Sequence, residues 1–395
     1  MTAPSPSERP QRIVFLSTSM GWGGLEMNLL RHARWMAAEG HIVRLLCLED
    51  SPLHRATVAH IQSEDGRAQN FDCRTVRRGL RYLAFATAIH RATRLMRYRA
   101  DWLWVRDPRD LDASAWARRF VRLFGGSTRL LFHQGMQIPR PKKTPYHRFR
   151  FGAIDAWVSP LDWLKEQVNR HTAVSPDRTH VIPLGLDDKW FTPINDSIQH
   201  RRQCRLELGL SQECFVITLV GRIDRKKGQD VLIRALNEMP PDAHALIVGD
   251  PTLDQLSDYF DEVRALVKEK ELQWRVHFRP YLDFPRPAYV ASDAVAVCSQ
   301  QESVGTVTLE AMASGCAIVG TENGGTGELL GEGRGWTFPP GDASTLATQL
   351  MQIRNHPDTV EPRVKAGQDY IQGHRREAVL TLWQNLLHER TTGAG

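Results

Sequence analysis

The 395-residue chain is poor in cysteine, lacks any long apolar run and has no large net charge, and each shortfall removes a class of protein. Its six cysteines (Cys47, Cys73, Cys204, Cys214, Cys298, Cys316) are scattered with no C-x-x-C spacing. A disulfide scaffold and a structural zinc site are therefore excluded, and buried free thiols are expected. The first apolar run, Ile13 to Leu16, is too short for a signal-peptide core or a membrane span. A cytoplasmic protein is expected, or one held peripherally on the inner face of the membrane. No low-complexity tract or short-period repeat appears, and only the two ends read as disordered, the first twelve residues being rich in Pro and Ser.

What is present is a chain long enough for two or three domains, with apolar residues spread along its whole length. The net charge of +6 is modest but uneven: residues 1–200 carry 30 basic and 19 acidic side chains, residues 201–395 carry 21 and 26, and residues 51–150 alone hold 21 and 7. Such a basic half attracts polyanions, either nucleic acid or an anionic membrane surface.

Buried-strand runs alternate with helix-period stretches. Ile13 to Thr18 is followed by the glycine loop Gly21-Trp-Gly-Gly24, a helix from Leu25 to Ala38 and a strand at Ile42 to Leu48. A helix around Leu80 to Tyr98, strands at Trp102 to Val105, Arg129 to His133 and Ala156 to Ser159, and a helix from Ala113 to Phe124 continue the series. After a polar, linker-like stretch from Thr192 to Arg202, a second series runs from Phe215 to Arg354. The fold class is α/β, with two Rossmann-like domains, an N-terminal one over 1–190 and a C-terminal one over 191–370, followed by a helix and tail over 371–395 expected to pack back on the first. The cleft between their strand ends is the default site.

Three loops carry chemistry. Gly21-Trp-Gly-Gly24, between a strand and a helix, offers backbone N–H groups to an anion, although Glu26 stands where the dinucleotide fingerprint needs glycine. A turn that uses glycine for geometry alone is the plain alternative. Gly221-Arg222 with Lys227-Gly228 places a guanidinium fork and an ammonium beside a helix start, fit for a diphosphate or merely solvated. In the third, Gly305 precedes a helix whose first N–H groups, at Thr306 and Val307, suit a phosphate; Glu302 lies in the loop and Glu310 inside the helix, where they can reach opposite ends of one nucleotide-linked ligand.

These motifs resemble the retaining glycosyltransferases of family 4, which have the GT-B fold and an E-x7-E signature matched here by Glu302 and Glu310. Gly23-Gly24-Leu-Glu26, Gly40-His41, Ile182 to Asp187 and Gly221-Arg222 with Lys227-Gly228 also fit, so the resemblance spans roughly residues 12 to 350. It implies a hexosyltransferase that moves a sugar from a UDP- or GDP-linked donor, with no cofactor beyond that co-substrate and no metal. Glu310 would hold the ribose, Glu302 the sugar hydroxyls, Arg222 and Lys227 the diphosphate, and the N–H groups at Gly305 to Val307 the distal phosphate. Gly23 and Gly24 would approach that phosphate from the other domain, His133 would lie near the sugar, and Tyr281 and Leu282 are candidates for the base pocket. His133, Arg222, Lys227 and Glu302 form the catalytic set, and a lipid-linked or cell-envelope glycan is the expected acceptor.

Other features are weighed beside these. Asp110-Leu-Asp112 has a metal-binding D-x-D spacing but precedes a helix, where Asp is a good cap. Arg77, Arg78, Arg81, Arg91, Arg94, Arg97 and Arg99 accompany Leu80, Leu83, Phe85, Ile89 and Leu95 on an amphipathic stretch; with Arg118, Arg119, Arg122, Trp116 and Phe120 it reads as a membrane-facing surface or a solvated face. No nucleic-acid module is recognised. The rival classes are an NAD-dependent oxidoreductase, with Glu49 or Asp50 on a ribose, and a non-catalytic polyanion- or membrane-binding protein.

Overall fold

The fold was analysed in a computed structural model, which describes residues 9–63, 70–76, 84–192, 198–251 and 258–389. It divides into two compact units, Met1–Pro183 with Val379–Gly395, and Leu184–Ala378. The division falls before the boundary expected at residue 190, inside the Ile182 to Asp187 segment.

In the first unit the strands are β1 (Arg12–Ser17), β2 (Ile42–Leu48), β3 (Phe71–Val76), β4 (Trp102–Val105), β5 (Arg129–His133), β6 (Ala156–Ser159) and β7 (Thr179–Val181). Between them run α1 (Gly24–Ala38), α2 (Pro52–Ser63), α3 (Ala84–Tyr98), α4 (Leu111–Leu123), α5 (Pro145–Phe151) and α6 (Asp162–His171). The sheet order is β3-β2-β1-β4-β5-β6-β7, and every pairing is parallel. Strands of such a sheet are buried on both faces, so they read as unbroken apolar runs, as Trp102 to Val105 does.

The second unit holds α7 (Ile198–Glu207), β8 (Phe215–Val220), α8 (Gln229–Asn237), β9 (Ala243–Val248), α9 (Asp258–Glu269), β10 (Val276–Arg279), α10 (Arg286–Ala291) and β11 (Ala294–Val297). It continues with α11 (Thr306–Ala313), β12 (Ile318–Thr321), α12 (Gly324–Leu330), β13 (Trp336–Phe338), α13 (Ala343–Asn355) and α14 (Pro357–Ile371). Its parallel sheet is ordered β10-β9-β8-β11-β12-β13. Both units are doubly wound: the strand order reverses beside the first strand, which leaves the loops after the C-terminal strand ends as the place where ligands gather. The last helix, α15 (Arg376–His388), buries Val379, Leu380, Trp383, Leu386 and Leu387 in the core of the first unit. There the Trp102 indole N–H donates to Leu387 O at 3.3 Å.

Three readings change. The linker expected up to Arg202 contains the start of α7, whose few apolar positions hide it; Arg205, buried on that helix, donates to Asp293 Oδ2 at 2.7 Å. Arg91 is not on an outer face. It lies in the core-facing row Ala88, Arg91, Ala92, Leu95 of α3, and its guanidinium reaches Asp110 Oδ1 at 3.3 Å. Trp116 and Phe120 pack partly against the core, while Leu123 and Phe124 beyond them are 76% and 67% exposed. Arg77, Arg78, Leu80, Arg81 and Leu83 lie outside the described residues, as does the side chain of Phe85. All six cysteines are free thiols, four of them buried.

Candidate active site

In the second unit the chain leaves β8 through Gly221 and Arg222, makes a single 3-10 turn over Arg225–Lys227 and enters α8 at Gly228. Gly228 has φ +68°, and a Cβ there would lie 2.3 Å from Cys298 O at the end of β11. Only glycine permits both that left-handed conformation and that approach. Gln300 N–H donates to Lys226 O at 3.0 Å, which ties the loop after β11 to the loop after β8. The consequence is that Lys227 Nζ donates to Glu302 Oε2 at 2.8 Å, with both side chains about one-quarter exposed. Two residues 75 apart in sequence thus form one charged centre.

The same loop runs on to Gly305, left-handed at φ +79°, which starts α11 without a side-chain cap. The first N–H groups, at Thr306 and Val307, have no intrahelical partner and point out of the helix start. One turn further, Glu310 Oε2 accepts from the buried Tyr289 hydroxyl at 3.1 Å. Burial and that neighbouring carboxylate push the Tyr289 phenol well above its ordinary range, so it stays a proton donor to Glu310. Arg222 is exposed, and its side chain has no ion-pair partner among the described residues; its carbonyl accepts from Gln229 Nε2 at 2.9 Å, which fixes the turn. Tyr281 is 51% exposed after β10, whereas Leu282 packs into the core group that contains Val248 and Ala288.

Glycines of the first-unit loop behave differently. Gly23 is extended, and none of Gly21, Gly23 and Gly24 has a positive φ in the turn region. A Cβ would come no nearer than 3.8 Å to any protein atom at Gly23 and 3.9 Å at Gly24. The turn does not need glycine there, so a purely geometric role is removed, and the missing side chains leave the start of α1 open. Glu26 closes that start from inside, accepting from Gly23 N–H at 3.1 Å.

His133 ends β5 and is fully buried rather than open to a ligand. Its ring touches those of His32, Trp104 and Trp383, the last from α15. Arg106 Nη1 lies 3.0 Å from His133 Nδ1. The same Nη1 lies 3.3 Å from His133 Nε2. Burial, then Arg106 and His32, hold His133 well below the ordinary imidazole range. Arg106 is itself 3% exposed with no carboxylate on it among the described residues, and burial depresses it to about 9. Sequence reasoning missed Arg106; the signal was a charged residue closing the apolar run Trp102 to Val105.

Asp110 accepts from Thr18 N–H at 2.8 Å, from the Thr18 hydroxyl at 2.7 Å and from Arg91, while Asp112 accepts from the Tyr146 hydroxyl at 2.8 Å and meets Arg150 at 3.0 Å. The D-x-D carboxylates are thus held by the fold, on different partners. Glu49 and Asp50 lie in the turn after β2, both exposed.

Residues 22–190 match the family described as Glycosyltransferase Family 4, and residues 201–370 match Glycosyl transferases group 1. The chain belongs to glycosyltransferase family 4. Curated relatives of this family-4 chain include the D-inositol 3-phosphate glycosyltransferase of Corynebacterium efficiens, 33% identical over 60% of this chain and 56% of that one. Mannosylfructose-phosphate synthase of Agrobacterium fabrum is 32% identical over 45% and 40%. The chain thus spans about half the length of the curated relatives it matches. Among solved structures, Anabaena HepE in complex with UDP superposes with a TM-score of 0.80 at 22% identity, covering 95% of this chain and 99% of that one. A Rickettsia africae glycosyltransferase gives 0.82 at 17% identity, over 97% and 100%. The fold is that of GT-B glycosyltransferases.

Proposed function

We propose that the chain is a retaining glycosyltransferase that moves a sugar from a UDP- or GDP-linked donor to an acceptor. The observation that carries this reading is the Lys227–Glu302 contact of 2.8 Å, which puts a cation for a diphosphate and a carboxylate for sugar hydroxyls at one strand-end loop pair. Glu310 would accept from the ribose hydroxyls, Arg222 and Lys227 would hold the diphosphate, and the N–H groups at Gly305 to Val307 would meet the distal phosphate.

In the reaction the bond from the sugar C1 to the phosphate oxygen breaks and a bond from C1 to the acceptor oxygen forms on the same face. The acceptor proton passes to the departing phosphate, whose charge Arg222 and Lys227 stabilise. His133 would not carry a proton, since it is fully buried and held well below the ordinary imidazole range. No cofactor beyond the donor and no metal ion is required, since the cations are supplied by side chains and Asp110 and Asp112 have structural partners.

The acceptor is proposed to be a lipid-linked or envelope glycan, reached from the inner face of the membrane. Support comes from the α4–α5 surface, where exposed Leu123, Phe124, Tyr146 and Phe149 stand among Arg119, Arg122, Lys143 and Arg148. Among the described residues no helix is long and apolar enough to cross a membrane. Titration with UDP, GDP and NAD, followed by a donor-hydrolysis screen, tests the catalytic reading: binding of NAD with neither UDP nor GDP would transfer it to the oxidoreductases. Sedimentation with anionic vesicles, with Leu123→Ser and Phe124→Ser as controls, tests the membrane part.

A further inference from the structure

A second binding feature lies in the first unit, away from the strand-end loops. The connections β1-α1-β2 and β2-α2-β3 put α1 and α2 on one face of the sheet, and the return from β3 to β4 carries α3 across the other. The apolar row of α3, Ala88, Ala92 and Leu95, covers Val14, Leu16 and Leu46. Beside it the β2–β3 end of that face remains as a groove of about 590 Å³.

Where a covered sheet face would carry apolar side chains, this one carries Arg44 and Arg74, and α3 adds Arg94 and Arg97 along the opposite wall. One carboxylate, Asp72, stands among the four guanidinium groups. Arg44 grips it through Nε at 2.7 Å and Nη2 at 2.5 Å, and Arg74 Nε shares it at 3.5 Å. Arg94 reaches across to Thr75 O at 3.4 Å, and neither Arg94 nor Arg97 has a carboxylate partner among the described residues. The Tyr98 ring supports Arg44 at 4.0 Å and closes one end of the groove.

We infer that this groove binds a phosphate group carried on a small polar body, as a site separate from the donor loops. A convex cluster of arginines is solvated and needs no ligand; here the excess charge converges on a concavity with room for more than the phosphate itself. All four cations are arginine, whose planar fork matches two phosphate oxygens at once. The phosphate belongs either to a soluble phosphate ester or to a phospholipid head group. The inference rests on no part of the glycosyl-transfer reading.

The test is amide hydrogen exchange on the full chain, read segment by segment, so that anion binding at Arg222 and Lys227 registers apart from binding here. The probes are inorganic phosphate against chloride at equal ionic strength, and phosphatidylglycerol vesicles against phosphatidylcholine vesicles. Exchange is expected to slow in β3 and in the second half of α3, with about tenfold weaker apparent affinity in Arg94→Gln/Arg97→Gln, whose side chains are exposed. Protection by inorganic phosphate assigns a soluble ester, and protection by phosphatidylglycerol vesicles alone assigns a head group. Absence of protection with either probe, or equal protection of the double variant, overturns the inference.

Discussion

Gly228 offers a measurable separation of two effects that glycine usually mixes. Gly228 and Gly341 both adopt a left-handed conformation, at φ +68° and +82°, but a Cβ at Gly341 meets nothing within 4 Å while one at Gly228 would sit 2.3 Å from Cys298 O. Alanine at Gly341 therefore pays only the conformational penalty, about 1–2 kcal/mol, part of which is returned by a less flexible unfolded chain. At Gly228 the same penalty applies, and the end of β11 must also move by nearly an ångström, at a typical overpacking cost of about 1–3 kcal/mol. Urea unfolding followed by circular dichroism should place Gly228→Ala about 2 kcal/mol below Gly341→Ala. Because Gln300 and Lys226 join the two loops, the shift should also separate Lys227 from Glu302, so UDP or GDP binding should weaken in the first variant and not in the second. Equal destabilisation of the two variants would refute the close approach on which the site geometry depends.

Four further outcomes are expected. Gly24→Ala should leave stability unchanged or raise it by up to about 1 kcal/mol, since alanine suits a helix start and its Cβ meets no protein atom within 3.9 Å, while weakening donor binding; unchanged binding by calorimetry would return this loop to a mere turn. Lys227→Met and Glu302→Gln should each reduce donor affinity roughly ten- to hundredfold, the worth of a charge-assisted contact, and wild-type turnover in either would remove the pair from the site. Turnover should survive EDTA; abolition with rescue by Mn²⁺ would reopen the metal question at Asp110 and Asp112. His32 is buried and held down to about 3, chiefly by burial and then by Arg106, so below its unfolded value the unfolded chain binds a proton the native one refuses. Stability should fall as pH drops from about 6.5, by up to about 1.4 kcal/mol per pH unit for that proton, and His32→Phe should flatten the slope in urea titrations at successive pH values.

Most of the sheet strands and the helices that flank the site were legible because a parallel sheet covered on both faces demands long apolar runs, and the loops after its strands are marked by glycine and charge. Phe215 to Val220, Gly228 and Gly305 are all of this kind. Elements whose burial depends on distant partners were not legible. α2, β3 and α7 carry too few apolar residues to be seen alone, and β3, Phe71–Val76, fills its outer positions with Asp72 and Arg74 because that side of it faces the groove.

Charge was the harder signal. The basic excess over residues 51–150 is visible in the sequence, but which arginines are free is decided by where the carboxylates lie in space. Arg91 lies three residues after Ala88 and four before Leu95 but also three before Arg94, so an amphipathic reading can put it on either face; Asp110, nineteen positions away, draws it inward. Arg118 goes to Asp155 in the same way, with both side chains 12% exposed. Once those pairs are removed, two groups of cations stand out, the α4–α5 surface beside Leu123 and Phe124 and the concave set around Asp72, where Arg74 shares the carboxylate that Arg44 holds and Arg94 and Arg97 have none among the described residues. The two call for different ligands. A convex surface with exposed apolar side chains suits a bilayer plane, where each cation contributes about 1 kcal/mol, whereas a concave arginine set without exposed apolar neighbours suits a single phosphate. Charge reversal at Arg119 and Arg122 should therefore lower vesicle binding while leaving phosphate protection of β3 intact, and Arg94→Gln/Arg97→Gln should shift that protection to about tenfold higher phosphate; loss of both properties in either variant would mean that the basic half acts as one undivided field.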